Sequence, residues 1–237
     1  MSLSLLYRLH STNKQRDAMD QETHVARRAG IREPQRQRGI ARFQQLIDAT
    51  EVILTETPDS DISLAVVAEA AGVPLPSIYH FFPNKDAILV ALAQRYHQAL
   101  SALAQKPLDP PPGSWQEIIR RRQISGVAYL NRHPAALRLF MGAGVSAEVR
   151  TLDLQGNASL SAIRSAEFRR WFDFSAVPDL EHRVGLSIGI MDGIWAISWS
   201  QHRRITEDYL TESIRASTCY LRCFLPEILP ARGQTEK

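Results

Sequence analysis

The stretch SLAVVAEAAGVPLPSIYHFF, Ser63 to Phe82, limits this chain to very few folds. Its spacing predicts two short helices joined at a corner, Gly72-Val73. Val67 and Ala71, four apart, give the first helix an inner face, and Ala68 beside them leaves room for a second helix to come close. Gly72 stands where the chain must leave the first helix, the position at which a residue without Cβ is cheapest. Val73 plugs the corner, while Ile78 and Phe81, three apart, face inward from the second helix. That phase turns Leu75, Pro76, Ser77, Tyr79 and His80 outward. Two helices so arranged form a helix-turn-helix, whose second helix lays its outward face in the major groove of DNA. An alanine-rich helical hairpin packed in a core is the plainer alternative for the same residues.

The flanks support the first of these. Ile40, Phe43, Ile47, Thr50 and Leu54 recur at helical spacing, and Pro34 is a good first-turn residue, which predicts a helix from Pro34 to about Thr57. Arg38 and Arg42, four apart near its start, share a face from which they can reach phosphates beside the groove; plain solvation is the alternative. Ser63 is a natural N-cap whose hydroxyl can also touch a phosphate. Pro83 ends the motif's second helix, Asn84 caps the next, and Asp86 occupies its favourable first turn. Lys85 and the exposed amides there form a small anion site suited to a backbone phosphate.

IYHFFPNKDAIL, Ile78 to Leu89, resembles the signature of the tetracycline-repressor-like (TetR) family of bacterial transcription regulators. Tyr79, Phe81, Phe82, Lys85, Asp86 and Leu89 fill its slots, and the likeness runs from Arg38 to Leu89. The resemblance implies an all-α protein: an N-terminal three-helix DNA-binding domain followed by a helical ligand-binding and dimerisation domain. It implies that Tyr79 and Lys85 lie against the DNA backbone, and that the helix after the lysine links the reading head to the ligand domain. There is one departure. The family usually carries serine or threonine where this chain has Pro74, and that hydroxyl caps the recognition helix. Pro74 cannot cap and Pro76 favours a first helical turn, so the helix is expected to begin a residue late. Leu75 and Pro76 can only press on thymine methyls or set the docking angle, because neither side chain donates a hydrogen bond.

Charge is unevenly spread. Residues 1–42 hold nine basic side chains against four acidic ones, a balance of +5 in a chain whose net charge is +3. One positive end on a slightly negative body suits a protein that meets phosphate at that end only. Residues 1–33 lack useful helical periodicity and are read as a flexible basic arm, for which solvated disorder is the alternative role. KPLDPPPGS, Lys106 to Ser114, has four prolines in nine residues and stops the helix that starts at Lys85. The expected organisation is therefore an arm over 1–33, a DNA-binding domain with its linking helix over 34–104, and a regulatory domain over 105–237.

The second half stays helical, with segments at about Trp115 to Asn131, Ala135 to Met141, Leu152 to Phe172, Leu180 to Gln201 and Glu207 to Phe224. Gly185, Gly189 and Gly193 line one side of a helix at a cost of about 1 kcal/mol each relative to alanine, which predicts a second helix close against them. Leu210, Ile214 and Leu221 stripe the last helix. The resemblance implies that these two helices build a four-helix bundle across a two-fold axis, with packing inside one subunit as the alternative. Tyr129, Phe140 and Trp195 are core residues first and ligand walls second. Arg122 lies near the apolar side of its helix and is either a snorkelling surface arginine or the partner of an anion, Asp192 or a ligand carboxylate.

Other chemistries find little support. No HExxH, GxSxG or phosphate-cradling glycine loop occurs, so neither an enzyme nor a cofactor is expected. Cys219 and Cys223 share a helix face and are expected to pack as small apolar groups rather than hold a metal. The longest apolar run, Val184 to Trp199, falls short of the roughly 20 residues of a membrane span, and no export signal is evident. Two cysteines in 237 residues suit a cytoplasmic location. The sequence thus points to a homodimeric regulator, in the family's habit a repressor, that binds a palindromic double-stranded operator and leaves it on binding a small-molecule effector. A helical protein-interaction module and a ligand-binding helical enzyme are the rivals.

Overall fold

The computed structural model describes residues 29–57, 62–142 and 146–231. Most of the arm, residues 1–28, lies outside the described residues, as does most of the turn after the first helix. Among the described residues the chain forms helices α1 (Gln37–Glu56), α2 (Leu64–Ala70), α3 (Leu75–Phe81), α4 (Lys85–Gln105), α5 (Trp115–Leu130), α6 (Pro134–Met141), α7 (Ala147–Trp171), α8 (Leu180–His202) and α9 (Glu207–Arg222). No strand occurs among them, and one isolated bridge joins Phe172 to Ala231. The all-α expectation is met.

Two compact units share these helices. Among the described residues, one gathers those up to Gln98 with those from Arg132 to Gly156; the other gathers Ala99–Asn131 with those from Asn157 to Ala231. The chain thus passes between units inside α4 and inside α7, and α6 packs with the N-terminal helices. In the N-terminal unit, Leu46, Ile47, Val67, Ile78 and Ile88 are almost wholly buried. The Phe43 ring lies 5.9 Å from Phe81, edge-on, and 4.9 Å from Phe82. Gly156 lets the α7 backbone cross the buried His97 ring, since a Cβ there would stand 2.1 Å from Nδ1.

The C-terminal unit has an aromatic core of Trp115, Phe168, Phe172 and Phe174 with Leu180 and Leu221. Beside it runs a polar seam. The Gln123 amide donates to Ser217 Oγ at 3.0 Å, Ser213 donates to Gln123 Oε1 at 2.7 Å, and Trp195 Nε1 donates to Ser213 Oγ at 2.9 Å. Each buried polar group in that seam has its partner, which is the condition for burying it at low cost.

Several boundaries differ from expectation. Helix α1 starts at Gln37 rather than Pro34, because Arg36 is extended and Pro34 folds back against Gly39. Ile40 accordingly remains 37% exposed, and the buried stripe begins at Phe43. Helix α7 starts at Ala147, five residues earlier than the apolar pattern suggests, with Ser146 Oγ accepting from the Val149 amide at 3.3 Å. The proline-rich segment does separate α4 from α5, and Ser114 caps α5 through the Glu117 amide at 3.1 Å.

Candidate nucleic-acid interface

The corner of the motif closes through its own backbone. Ser63 Oγ accepts from the Val66 amide at 3.3 Å and starts α2. At its end Gly72 takes φ +62°, and the Val73 amide donates to the Ala68 carbonyl at 2.9 Å. This left-handed exit is open to glycine at little cost. Gln45 of α1 donates to the Ala71 carbonyl at 2.7 Å, fastening the corner to the helix behind it. Val67, Ala68, Ala71, Val73, Ile78 and Phe81 are all buried, so the phase of α3 is set.

That phase leaves the other side of α3 in solvent. Tyr79 is 54% exposed, and Leu75, Pro76 and His80 are exposed with it, while Ser77 is half-buried. The expectation that α3 begins late is corrected. It starts at Leu75 with Pro76 in the first turn, and Pro74 contributes its carbonyl, which accepts from the Ser77 amide at 2.8 Å. The backbone thus supplies what a capping hydroxyl would, because Pro76 has no N–H to be capped.

The same unit carries several exposed cations. Arg38, Arg42, Lys85, Arg32 and Arg36 are exposed. Arg42 reaches the recognition helix, its Nη1 donating to Ser77 Oγ at 3.2 Å. Asn84 Oδ1 accepts from the Ala87 amide at 2.9 Å and caps α4, with Asp86 in the first turn. The Arg32 amide donates to the Phe81 carbonyl at 3.0 Å, so the segment before α1 is tied to the end of α3. Sequence spacing gave no sign of that tie, since it is a main-chain bond across 49 positions. Arg38, Arg42, Ser63, Leu75, Pro76, Ser77, Tyr79, His80 and Lys85 all fall within this one unit.

The residues expected to hold a ligand are not brought together. Phe140 belongs to the N-terminal unit, its ring 4.5 Å from that of His97, whereas Arg122, Tyr129 and Trp195 belong to the C-terminal unit. Arg122 does not snorkel. It is 8% exposed, and its anion is Glu167 rather than Asp192, with Nε at 3.1 and 2.9 Å from the two carboxylate oxygens and Nη2 also bonded to one of them. Nη1 donates to the Leu103 carbonyl at 3.3 Å and Nη2 to that of Lys106 at 2.6 Å, which covers the end of α4. Asp192 instead accepts from Asn157 at 2.6 Å. Around Arg122 and Glu167 lies an open recess of about 270 Å³, lined also by Lys106, Leu108, Ile163, Arg170 and Trp171.

The expected dimer residues also divide. Leu221 is 0% exposed, enclosed by its own chain, and is thereby removed from any intersubunit face. Leu210 and Ile214 are half-buried. A Cβ on Gly185 would meet Ser161 Oγ of α7 at 3.3 Å, so the close neighbour expected for the glycine row exists there within the chain. Gly189 and Gly193 meet nothing within 4 Å. Exposed Leu186 and Ile197 continue their row at helical spacing, a signal that a search for glycines alone passes over. Cys219 and Cys223 are exposed rather than packed, and no cluster of metal-ligating side chains occurs among the described residues. Nor is any described helix long and apolar enough to cross a membrane.

Comparison with known proteins bears on this geometry. The profile for bacterial regulatory proteins of the tetR family matches residues 46–92, from mid-α1 into α4. The HTH-type transcriptional regulator EthR of Mycobacterium tuberculosis is 35% identical over 68 residues, 27% of this chain and only 32% of EthR. The HTH-type transcriptional regulator BetI of Serratia proteamaculans is 28% identical over 196 residues, 75% of this chain and 94% of BetI. A TetR-family transcriptional regulator from Streptomyces coelicolor shares the fold with a TM-score of 0.61 at 20% identity, over 78% of this chain and 99% of that one. With the corner at Gly72, the outward face of α3 and the capped start of α4 all in place, residues 46–92 match the tetR family of bacterial regulatory proteins, and the chain as a whole shares the fold of a TetR-family regulator.

Proposed function

We propose that the protein is a DNA-binding transcription regulator and not an enzyme, acting in the cytoplasm as a homodimer and repressing from a palindromic operator until a small molecule releases it. The observation that carries this is the locked phase of α3: with Ile78 and Phe81 buried, the exposed Leu75, Tyr79 and His80 form a face bordered by Arg38, Arg42 and Lys85. Such a face fits a major groove, with Arg38, Arg42, Tyr79 and Lys85 on phosphates and Leu75 and Pro76 against thymine methyls. Ser63 and Ser77 add hydroxyls at the same margin.

Two copies are needed because one short helix makes few base contacts, and two held about one DNA turn apart read both halves of a palindrome. The row Leu186, Gly189, Gly193 and Ile197 on α8, with half-buried Leu210 and Ile214 on α9, supplies apolar surface for that pairing. An effector in the C-terminal unit would act on the half of α4 that belongs there, and α4 begins at Lys85. A coupling of about 1 to 3 kcal/mol between the two sites suffices for release.

Footprinting on DNA upstream of the protein's own coding region tests this. A protected palindrome is expected, lost in the double variant Tyr79→Ala, Lys85→Ala. Equal protection by that variant would refute the placement of the reading face. Sedimentation of an Ile197→Glu variant tests the pairing, with monomers as the expected result.

A further inference from the structure

One cluster in the C-terminal unit holds more positive charge than its own chain neutralises. Lys106, Arg122 and Arg170 line the recess at the end of α4, and the only carboxylate lining it is Glu167. Both Glu167 oxygens are taken by Arg122. Arg164, one turn before Glu167, has its Nε 3.7 Å from Oε2, too far for a hydrogen bond, and that Nε is buried without a partner. Two guanidinium groups therefore share one counter-ion, and the second, partly exposed and outside the recess lining, receives little of it. Burial pushes the Arg164 guanidinium down to about 10, against the attraction of Glu167, with repulsion from Arg122 adding to the fall. Lys106 and Arg170, which do line the recess, find no carboxylate there left to pair with them, and a bound anion would supply one.

The surroundings favour such an anion in two further ways. The C-terminal end of a helix ordinarily presents bare carbonyls and repels negative charge. Here Arg122 covers the Leu103 and Lys106 carbonyls, so the end of α4 is neutralised on the recess side. Apart from Gln105 the remaining walls are apolar: Ala104, Pro107, Leu108, Ile163, Ala166 and the Trp171 ring, with the Arg170 guanidinium 5.4 Å from that ring's centroid. A compact inorganic ion would leave those walls wet, and a neutral hydrocarbon would leave the charge unmet.

We infer that this recess binds an organic carboxylate with an apolar body, its charged end toward Lys106 and Arg170 and its hydrocarbon against Leu108, Ile163 and Trp171. This deepens the effector reading and rests on it for its biological role. The binding itself requires no DNA. A site of about 270 Å³ lies near the lower end of small-molecule pockets and suits a medium-length chain or a single substituted ring.

The test is calorimetric titration of the full-length protein with octanoate, with octan-1-ol and sulfate as controls. Octanoate is expected to bind about tenfold or more tightly than either control, since it alone satisfies both charge and apolar wall. Arg170→Gln and Leu108→Asp, both at solvent-accessible positions, are each expected to weaken octanoate about tenfold. Equal binding of octan-1-ol, equal binding of sulfate, no octanoate binding, or unchanged affinity in both variants overturns the inference. Operator binding by fluorescence anisotropy is measured separately. A protein that holds octanoate yet ignores DNA sinks the regulator proposal and leaves the recess standing, whereas one that holds DNA and ignores octanoate does the reverse.

Discussion

The N-terminal unit and the C-terminal unit are both helical, yet they are specified by different means. In the first, the bonds that start and end the motif's helices join residues three or four apart: Val66 with Ser63, Ala71 with Val67, Ala87 with Asn84. In the second, the deciding contacts are polar and distant: Arg122 with Glu167, Gln123 with Ser213 and Ser217, Trp195 with Ser213. The difference teaches where helical periodicity suffices. Periodicity states which face of a helix is inward, but not which helix that face meets.

Four tests would break or sharpen this contrast, the largest effect first. Glu167→Ala leaves Arg122 enclosed without its anion and should cost about 3 to 5 kcal/mol in denaturant unfolding, while the pair Arg122→Met, Glu167→Leu should recover most of that. If the single and double variants unfold alike, the pair is not what organises this unit. Ile78→Ala removes a fully buried side chain from the apolar core and should cost about 3 kcal/mol, with loss of duplex binding. A smaller loss would show that the N-terminal unit collapses easily around the gap.

Gly72→Ala isolates the backbone, since its Cβ would meet nothing within 4 Å while φ stays at +62°. It should cost about 1 kcal/mol by thermal melting, all of it conformational. The smallest effect concerns Arg42 and Ser77, whose hydrogen bond is exposed. In duplex affinity the two alanine variants should be non-additive by about 0.5 kcal/mol, and strict additivity would show that the two side chains act independently on DNA.

These contrasts also explain what could be read beforehand. The corner, its inward residues, the caps Ser63 and Asn84 and the outward face of α3 follow from rules that act over three or four positions, and they are legible in the sequence. The partner of Arg122 is not, because Glu167 and Asp192 are both acidic residues on later helices, and only their packing decides between them. Leu221 shows the same limit: it lies on the apolar stripe, but it is enclosed in a core with Trp115 and Phe168 of its own chain. Phe140 joined the wrong companions because α6 packs with the N-terminal helices, a fact about topology that no local pattern carries. Where α3 begins was misjudged for a related reason, since a side-chain cap was sought where a carbonyl serves.

The two prolines at the front of α3 have a consequence for selectivity. Each has its φ fixed by a ring before the chain folds, so the leading edge of the recognition helix arrives already shaped and has little left to adjust. An edge that cannot bend must find a groove of matching width and curvature, and a duplex of poorer fit meets a stiff wedge instead of a yielding loop. On the function proposed here, loosening that edge by Pro74→Ser should leave tight binding of the best operator almost untouched and instead raise the tolerance for imperfect ones.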